Sequence, residues 1–431
     1  MACPDMLKQA AEAYARKDLP LAERLCKDIL VDNPVNVDAL QVLGVLQWEL
    51  KNDLEKAVEL LSAAKAIEST PKVVYSLGAV LLSAKRPEEA IQAFRSYPLW
   101  QQDQKILKGL MTAYKGSHDW ADRAMVVDCL LKLGPVSQAD EAQLLYKRAQ
   151  FLKELGRVEE AKEGFQKCLE LDPKHENARF KLAIVSGNPD GLDTCPDRYV
   201  AALFDGYSGT FDHHLVEKLQ YHTPAAMYHA CQKAWEELHP GSSMHWQRCA
   251  DLGCGTGLAG VLYRAHTQFL AGVDLSPGMI REAQKKKCYD KLVVAGLKPF
   301  LEQATGPQEA YDLILAADVF VYVGNMKDTF EALPNALHPG GWFVFSTERT
   351  IHEALAPQRT LGAPGSACQC CPGFTLGDSG RFHHCEAYIR ALAVEAGLSV
   401  LSVETLTLRM NGGKPVFGNI YICIHNCSQE P

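Results

Sequence analysis

A glycine-rich stretch in the second half of the chain has the residue types and spacing of a ligand-binding turn. Residues 248–260 read RCADLGCGTGLAG, in which an acidic residue and three glycines alternate: Asp251, Gly253, Gly255 and Gly257. Glycine allows a tight turn and a close approach of the backbone to a ligand, and the helix-like run that follows offers unpaired N–H groups. We therefore expect a cofactor at this turn.

A second acidic residue closes the next apolar run. Asp274 ends the run AGVD, 17 residues after Gly257, and Ser276 and Pro277 then provide a helix start. A carboxylate in this position can accept both hydroxyl hydrogens of a ribose, which is how doubly wound folds bind nucleosides. The two turns together predict a site for a nucleoside-containing cofactor.

Apolar strands that alternate with helix-like runs must position these turns. Further strands are predicted in the following places: 291–295, 311–320, 342–346, and a terminal hairpin of 401–409 and 416–424. Such alternation predicts a mostly parallel sheet that is covered by helices on both faces. In sheets of this kind a ligand binds at the carboxyl ends of the strands, where the glycine turn and Asp274 lie.

The first part of the chain repeats itself. In the clearest unit, 145–173, small residues, an aromatic residue and a proline are spaced as in a pair of short amphipathic helices: Ala149, Ala161, Phe165 and Pro173. A second copy has Gly78, Ala90 and Phe94, and weaker copies cover 7–34, 39–69 and 106–135. These residues resemble the tetratricopeptide repeat (TPR) pattern over roughly residues 5–172, in about five units.

Repeats of this kind must stack, because one unit cannot bury its apolar face alone. The resemblance implies an all-α superhelix whose concave side binds a protein or peptide partner; a helical bundle without a ligand is the alternative. The run HENARFKLAIVSG after Pro173 is expected to be a capping helix. The turn-rich stretch GNPDGLDTCP then predicts a repeat array at 1–186, a linker at 187–196 and a second domain at 197–431.

Composition excludes some classes of partner. The net charge is −8, with 44 basic and 52 acidic residues, so we expect binding neither to nucleic acid nor to membranes. Residues 1–17 lack the pattern of a signal peptide, and no apolar run reaches membrane-spanning length, which predicts a soluble, cytoplasmic protein. Most of the 15 cysteines stand singly in regular runs, as reduced, structural residues do.

The second part resembles the class I S-adenosylmethionine-dependent methyltransferases over roughly residues 197–426. The matching features are the glycine turn, Asp274, the run LHPGGWFVF at 337–345 and the closing hairpin. The resemblance implies a doubly wound, Rossmann-like, seven-stranded sheet that ends in an antiparallel hairpin. It also extends to bacterial proteins that fuse TPRs to such a domain, and residues 199–221 resemble the leader helices of small-molecule methyltransferases.

Site residues follow from that resemblance. The glycine turn (Asp251, Gly253, Gly255 and Gly257) is expected to hold the methionine part of S-adenosylmethionine, and Asp274 its ribose. Leu275 and Met279 are expected to contact one side of the adenine. Many relatives have an acidic residue for the adenine amino group where this chain has Gly296, so the resemblance assigns adenine recognition to the backbone near Gly296 and Leu297.

Methyl transfer from a sulfonium is an in-line displacement that depends mainly on proximity, and a base is needed only if the nucleophile carries a proton. Asp318 and Tyr322 follow the fourth predicted strand and are the first candidates for catalysis; a helix cap and core packing are their alternative roles. His384, with His383 beside Arg381, is a further candidate. The absence of an Asn/Asp-Pro-Pro-Tyr/Phe motif argues against amino-group acceptors on bases or glutamine.

Three other interpretations remain open from the sequence. The run GTGLAG also fits the GxGxxG turn of dehydrogenases, against which stand Asp251, Gly253 and the closing hairpin. Cys368, Cys370 and Cys371 could bind zinc, but C-x-C-C lacks paired C-x-x-C spacing, so we expect no metal. The chain could finally be a non-catalytic interaction protein with a degenerate methyltransferase-like domain.

Overall fold

The computed structural model describes residues 3–51, 53–187, 192–213, 221–304, 306, 308–350, 373–377, 379–411 and 414–426. The chain divides into two compact units, Met1–Ala178 and Arg179–Pro431. Part of the predicted linker, residues 188–191, lies outside the described residues, as do Cys368, Cys370 and Cys371. No helix among the described residues is long and apolar enough to cross a membrane.

The first unit is built from helices. In chain order these are α1 (Cys3–Ala15), α2 (Leu19–Asp32), α3 (Val37–Lys51), α4 (Leu54–Ile67), α5 (Pro71–Ser83), α6 (Pro87–Arg95), α7 (Gln104–Ala113), α8 (Trp120–Leu133), α9 (Gln138–Glu154) and α10 (Val158–Leu171). Short polar residues begin several of them: Asp53, Thr70 and Ser137 each accept a hydrogen bond from a backbone N–H of the first turn. Helix α11 (Glu176–Ser186) follows.

Small residues let these helices approach around buried aromatic rings. Phe94 of α6 is fully buried, and a β-carbon added to Gly78 of α5 or Gly109 of α7 would collide with its ring. In the last pair, a β-carbon on Gly164 would lie 2.9 Å from that of Ala149. The small residues of the repeat pattern are therefore required by packing, and the predicted helical first part is confirmed.

The second unit contains a mixed sheet. Its strands are β1 (Trp246–Leu252), β2 (Thr267–Asp274), β3 (Lys291–Val294), β4 (Tyr311–Ala316), β5 (Leu337–Arg349), β6 (Phe374–Leu376), β7 (Phe382–His384), β8 (Leu398–Asn411) and β9 (Lys414–His425). The main order is β3-β2-β1-β4-β5-β9-β8, with β1 to β5 parallel and β9 antiparallel between β5 and β8. This is the predicted doubly wound sheet with its closing hairpin.

Two details of the sheet differ from the prediction. Strand β4 ends at Ala316 rather than at residue 320, because Asp318 adopts a left-handed backbone (φ +55°) and Phe320–Tyr322 form a 3-10 turn. The short strands β6 and β7 were not predicted; β7 pairs with the last residues of β5, and β6 pairs with β7. Both differences lie at the carboxyl edge of the sheet, where a ligand would bind.

Helices cover both faces of the sheet. They are α12 (Asp197–Tyr207), α13 (Phe211–His213), α14 (Thr223–Leu238), α15 (Leu258–Tyr263), α16 (Pro277–Lys286), α17 (Leu297–Leu301), α18 (Lys327–Ala336) and α19 (Glu386–Glu395). Successive residues of β5 belong to different apolar layers: Phe343 and Phe345 pack on one side, and Trp342 and Val344 on the other. Burial on both sides explains why the central strands read as continuous apolar runs.

Candidate functional site

The glycine turn after β1 has the backbone that only glycine adopts readily. Gly253, Gly255 and Gly257 have φ values of +61°, +54° and +89°. A β-carbon on Gly253 would lie 2.6 Å from Cγ2 of Val319, and one on Gly257 would lie 2.9 Å from the ring of Tyr289. A β-carbon on Gly255, in contrast, would meet among the described residues only the ring of Phe211, at 3.9 Å. The backbone at Gly255 is therefore accessible to a ligand.

Asp274 at the end of β2 connects the tips of the first two strands. Its Oδ2 accepts a hydrogen bond from the N–H of Gly255 at 3.0 Å, and its Oδ1 accepts one from the N–H of Ser276 at 2.8 Å. Burial raises the pKa of Asp274, although both backbone hydrogen bonds act to lower it. The structure thus brings together Gly255 and Asp274, the two features on which the sequence prediction of a nucleoside site depends.

Asp251 occupies a different place from Asp274. Its side chain is 1% exposed, and the hydroxyl of Tyr289 donates to its Oδ2 at 2.6 Å. The Tyr289 ring fills the space that a β-carbon on Gly260 would need. Burial raises the pKa of Asp251 to about 7. These contacts place Asp251 inside the fold, where it supports the glycine turn.

The apolar residues expected around the adenine differ in exposure. Leu275 is half-buried and packs in a cluster with Phe204 and Tyr322. Leu297, the first residue of α17, is also half-buried. Met279 is fully buried, and its N–H donates to the hydroxyl of Ser276 at 3.1 Å. Leu275 and Leu297 can therefore contact a ligand, whereas Met279 contributes to the packing of α16.

The segment α12–α13 lies against the glycine turn and the start of α16. Oδ1 of Asp205 accepts hydrogen bonds from the Ser276 hydroxyl (2.6 Å) and from the Gly278 N–H (2.8 Å). Asp212 accepts one from the Thr256 hydroxyl at 2.5 Å and forms an ion pair with Lys286 at 2.8 Å. The sequence comparison with leader helices did not single out either carboxylate.

On the opposite side of the glycine turn, Asp318 follows β4 in a left-handed conformation. Its N–H donates to the hydroxyl of Ser346 at 2.8 Å, and that hydroxyl donates to Oδ1 of Asp318 at 3.1 Å. Nη1 of Arg409 lies 3.4 Å from Oδ2 of Asp318. Left-handed backbone is strained for an aspartate and is typical of functional sites. Burial raises the pKa of Asp318, against the effect of Arg409 and Arg381.

Glu348 near the end of β5 is the centre of a buried charge cluster that the sequence did not reveal. It is 2% exposed; its Oε1 pairs with Arg409 and with Arg381 (3.2 Å), and its Oε2 lies 3.3 Å from Nε2 of His383. Despite burial, the His383 hydrogen bond and the two arginines lower the pKa of Glu348 to about 2. The sequence offered one indication of a role for Glu348, namely its position at a strand end, in the run FSTER.

Tyr322 and His384 make different contacts near this cluster. The guanidinium of Arg381 stands 5.7 Å from the ring centre of Tyr322, so the structure brings Tyr322 and Asp318 to the same charged group. His384 is fully buried, and its Nε2 lies 2.9 Å from the Val323 carbonyl oxygen and 3.0 Å from that of Gly324. Burial lowers the pKa of His384 to about 4. The histidine that reaches Glu348 is His383.

Metal ligation has no geometric support in the described part of the chain. Within the described ranges, no three His, Cys, Asp or Glu side chains are grouped as metal ligands. The cysteine motif at 368–371 lies outside those ranges. Among the described side chains, the following cysteines are free thiols: Cys26, Cys129, Cys168, Cys195, Cys231, Cys249, Cys254, Cys288 and Cys423.

Comparison with known proteins identifies two regions. A family model described as a methyltransferase domain matches residues 250–343, and one described as a tetratricopeptide repeat matches residues 142–175. Malonyl-[acyl-carrier protein] O-methyltransferase of Serratia marcescens is 27% identical over 110 residues, 26% of this chain and 42% of the relative. The second such enzyme of Ilyobacter polytropus is 30% identical over 102 residues, 22% of this chain and 38% of the relative. The chain thus spans well under half of the length of these relatives.

Solved structures give similarities at lower identity. N-methyltransferase NodS from Bradyrhizobium japonicum, in complex with S-adenosyl-l-homocysteine, is 15% identical, with 52% of this chain and 97% of that one covered and a TM-score of 0.36. Magnesium protoporphyrin IX methyltransferase from Synechocystis, with bound S-adenosylhomocysteine, is 15% identical, with coverages of 54% and 100% and a TM-score of 0.35. A methyltransferase domain implies S-adenosylmethionine as its cofactor, in agreement with the sequence. Residues 250–343 thus match a methyltransferase domain, and residues 142–175 match a tetratricopeptide repeat.

Proposed function

We propose that the second unit transfers a methyl group from S-adenosylmethionine to an acceptor bound beside β4 and β5. The observation that carries the proposal is the hydrogen bond between Gly255 N–H and Asp274, because it sets an open glycine turn next to a carboxylate at adjacent strand tips. This is the arrangement that a nucleoside with a polar tail requires. We retain 1–186, 187–196 and 197–431 as the proposed division into repeat array, linker and methyltransferase domain.

The residues present fit the cofactor. The open backbone at Gly255 suits the amino-acid end, and Asp274 would accept hydrogen bonds from the ribose hydroxyls. Leu275 and Leu297 supply apolar surface for the base, while Asp251 and Met279 support these elements from inside the fold. When bound, S-adenosylmethionine supplies a methyl group on a positively charged sulfur, so the protein need not create that charge.

The charge cluster is the proposed acceptor side of the site. Asp318 is held by Ser346 and Arg409, and it directly precedes Val319, whose side chain packs on Gly253. Asp318 and Tyr322 would orient the acceptor so that its nucleophile lies in line with the methyl group. If the nucleophile carries a proton, His383, whose ring Glu348 orients, would accept that proton. We propose no proton transfer for His384, whose Nε2 faces two backbone carbonyls.

The repeat array is proposed to bind a protein or peptide partner. The match at 142–175 and the helix pairs of the first unit support this role, because stacked repeats of this type present an extended surface. The partner could be the methyl acceptor itself or a protein that delivers it. We further propose a cytoplasmic location, which buried free thiols such as those of Cys26, Cys231 and Cys423 support.

Transfer of a labelled methyl group tests the proposal. The full chain is incubated with methyl-labelled S-adenosylmethionine and a size-fractionated cell extract, beside Asp274→Ala and the surface control Asp328→Ala. We expect label in one acceptor fraction with the wild type and the control, and none with Asp274→Ala. Cofactor binding without any transfer would instead favour the non-catalytic interaction protein.

A further inference from the structure

The order of contacts across the strand tips locates the base of the cofactor, if the proposed function is correct. The amino-acid end would lie at the turn after β1, and the ribose would lie at Asp274 after the neighbouring strand β2. Neighbouring strands are about 4.8 Å apart, so a nucleoside that runs in this direction places its base over the tip of β3. That tip ends in Val294 and continues through Ala295 to Gly296.

Strand β3 carries no acidic side chain at this tip. Adenine presents an exocyclic amino group, which needs an acceptor when it is removed from water. Gly296 cannot provide one, and Ala295 and Leu297 on either side of it are apolar. Recognition of the amino group must therefore use the backbone or a side chain from another element.

Another element does bring a carboxylate to this point. A β-carbon built on Gly296 would lie 3.9 Å from Oδ2 of Asp197, and 3.6 Å from Cδ of Pro299. Asp197 is the first residue of α12 and lies 99 positions earlier in the chain. Its carboxylate thus stands near the place that an acidic side chain at residue 296 would reach.

Contacts at the other end of α12 fix this position. Asp205 binds Ser276 and Gly278 beside the tip of β2, and a β-carbon on Gly278 would lie 2.8 Å from Oδ1 of Asp205. Asp212, just beyond α12, binds Thr256 beside the tip of β1. The segment 197–213 therefore crosses the tips of β3, β2 and β1 in that order.

We propose that Asp197 accepts the hydrogen bond of the adenine amino group and so replaces the carboxylate that β3 lacks. Leu275 and Leu297 would hold the ring, and Asp197 would make the site selective for a 6-aminopurine. The competing role is structural, since an acidic residue in the first turn stabilises a helix through its dipole. If Asp197 binds the amino group, removal of its carboxylate weakens the binding only of ligands that carry that group. If its role is structural, removal weakens the binding of all ligands alike.

Binding of two matched ligands separates these roles. Isothermal titration of the full chain measures the Kd of S-adenosylhomocysteine and of its 6-deamino analogue, which lacks only the amino group. We expect the wild type to prefer the amino compound by about 10- to 100-fold, the range for a hydrogen bond to a charged group. Asp197→Asn should weaken S-adenosylhomocysteine by a similar factor and change the affinity for the analogue less than about 2-fold.

Two further variants make the test specific. Asp205→Asn perturbs the same segment away from the base, so it should weaken both ligands equally. Gly296→Asp in the Asp197→Asn background should restore the preference, because a β-carbon at Gly296 has no neighbour closer than 3.6 Å among the described residues and its φ is −74°. Circular dichroism confirms that each variant is folded.

Different failures have different meanings. Equal weakening of both ligands by Asp197→Asn, or no change in either, would overturn the role of Asp197 while the proposed function stands. Failure of wild-type protein to bind S-adenosylhomocysteine at all would overturn the proposed function itself. Restoration of the preference by the second carboxylate is the result that a purely structural role cannot produce.

Discussion

Arg409 binds Asp318 although their strands are separated by two others, β5 and β9. Arg409 lies on β8, and its guanidinium pairs with Asp318 after β4 and with Glu348 on β5. The β9 residue paired with Glu348 is Gly418, and the side chain of Leu408 on β8 fills the space that a β-carbon there would need. The closing hairpin thus does more than complete the sheet, because it brings a cation to the proposed acceptor side of the site.

Removal of the Arg409 guanidinium should lower the free energy of unfolding. Arg409→Met leaves two buried carboxylates without their shared partner, and we expect the free energy of unfolding to fall by about 3–5 kcal/mol in urea denaturation. The control Arg390→Met removes a partly exposed pair with Glu386 one helical turn away and should cost less than about 1 kcal/mol. Equal losses of unfolding free energy in the two variants would show that the buried cluster contributes no more to stability than a partly exposed ion pair.

Asp251 should make stability depend on pH. Its folded pKa, about 7, is above the ordinary value of 3.8, so stability is fully present below about pH 3.8 and decreases as pH rises towards 7. The slope cannot exceed about 1.4 kcal/mol per pH unit for one group. Asp251→Asn should flatten the curve in this window, as measured by urea denaturation between pH 4 and 8. An unchanged slope would contradict the raised pKa.

Glu348 should act in the opposite direction and in another window. Its folded pKa, about 2, is below the ordinary value of 4.5, so its contribution is complete above pH 4.5 and is lost as pH falls towards 2. In Glu348→Gln the extra acid sensitivity of the wild type in thermal melts between pH 3 and 5 should be absent. Persistence of the same acid sensitivity would assign it to other carboxylates.

Gly255 should matter for binding more than for folding. Gly255→Ala forces a side chain into left-handed backbone, at a cost of about 1–2 kcal/mol, and places a methyl group on the open side of the turn. Gly340→Ala imposes the same kind of strain (φ +80°) without a nearby ligand site. We expect both variants to lose similar stability, but only Gly255→Ala to weaken S-adenosylhomocysteine, by more than about 10-fold in titration.

Substitutions at the adjacent residues His383 and His384 should have different effects on turnover and on stability. His383→Gln removes the ring that Glu348 orients, while its side-chain amide can still donate to Glu348, so methyl transfer to a protonated acceptor should slow about 100-fold and thermal stability should fall less than in His384→Gln. His384→Gln disturbs a buried ring and should mainly lower the melting temperature. Loss of turnover in folded His384→Gln, with normal turnover in His383→Gln, would reverse these roles.

The sequence revealed the features that depend on local backbone chemistry. The glycine turn and Asp274 could be predicted because a tight turn and a strand-end carboxylate are local patterns, and the helical repeats because small residues recur around aromatics. Glu348 and Arg409 could not be recognised as partners, since their meeting depends on the order and register of β5, β9 and β8. His383 and His384 point to opposite faces of β7, so the choice between them required the register of a strand that was not predicted.

The role proposed for Asp197 could not be predicted from the sequence either. The sequence shows that Gly296 lacks a carboxylate, but only the path of α12 shows which residue stands near it. A first-turn aspartate has an ordinary explanation as a helix-stabilising residue, and nothing in its sequence context indicates a ligand. Long-range replacement of one side chain by another is visible only in three dimensions.

Titration of the full chain with S-adenosylhomocysteine measures the proposed cofactor site itself. We predict saturable binding that weakens at least about 100-fold in Asp274→Ala and is unchanged in Asp328→Ala, whose carboxylate lies on the surface. Reduced nicotinamide dinucleotide should give no heat of binding. Binding of that dinucleotide instead, or binding of S-adenosylhomocysteine that Asp274→Ala does not weaken, would show that these strand tips are not a site for S-adenosylmethionine.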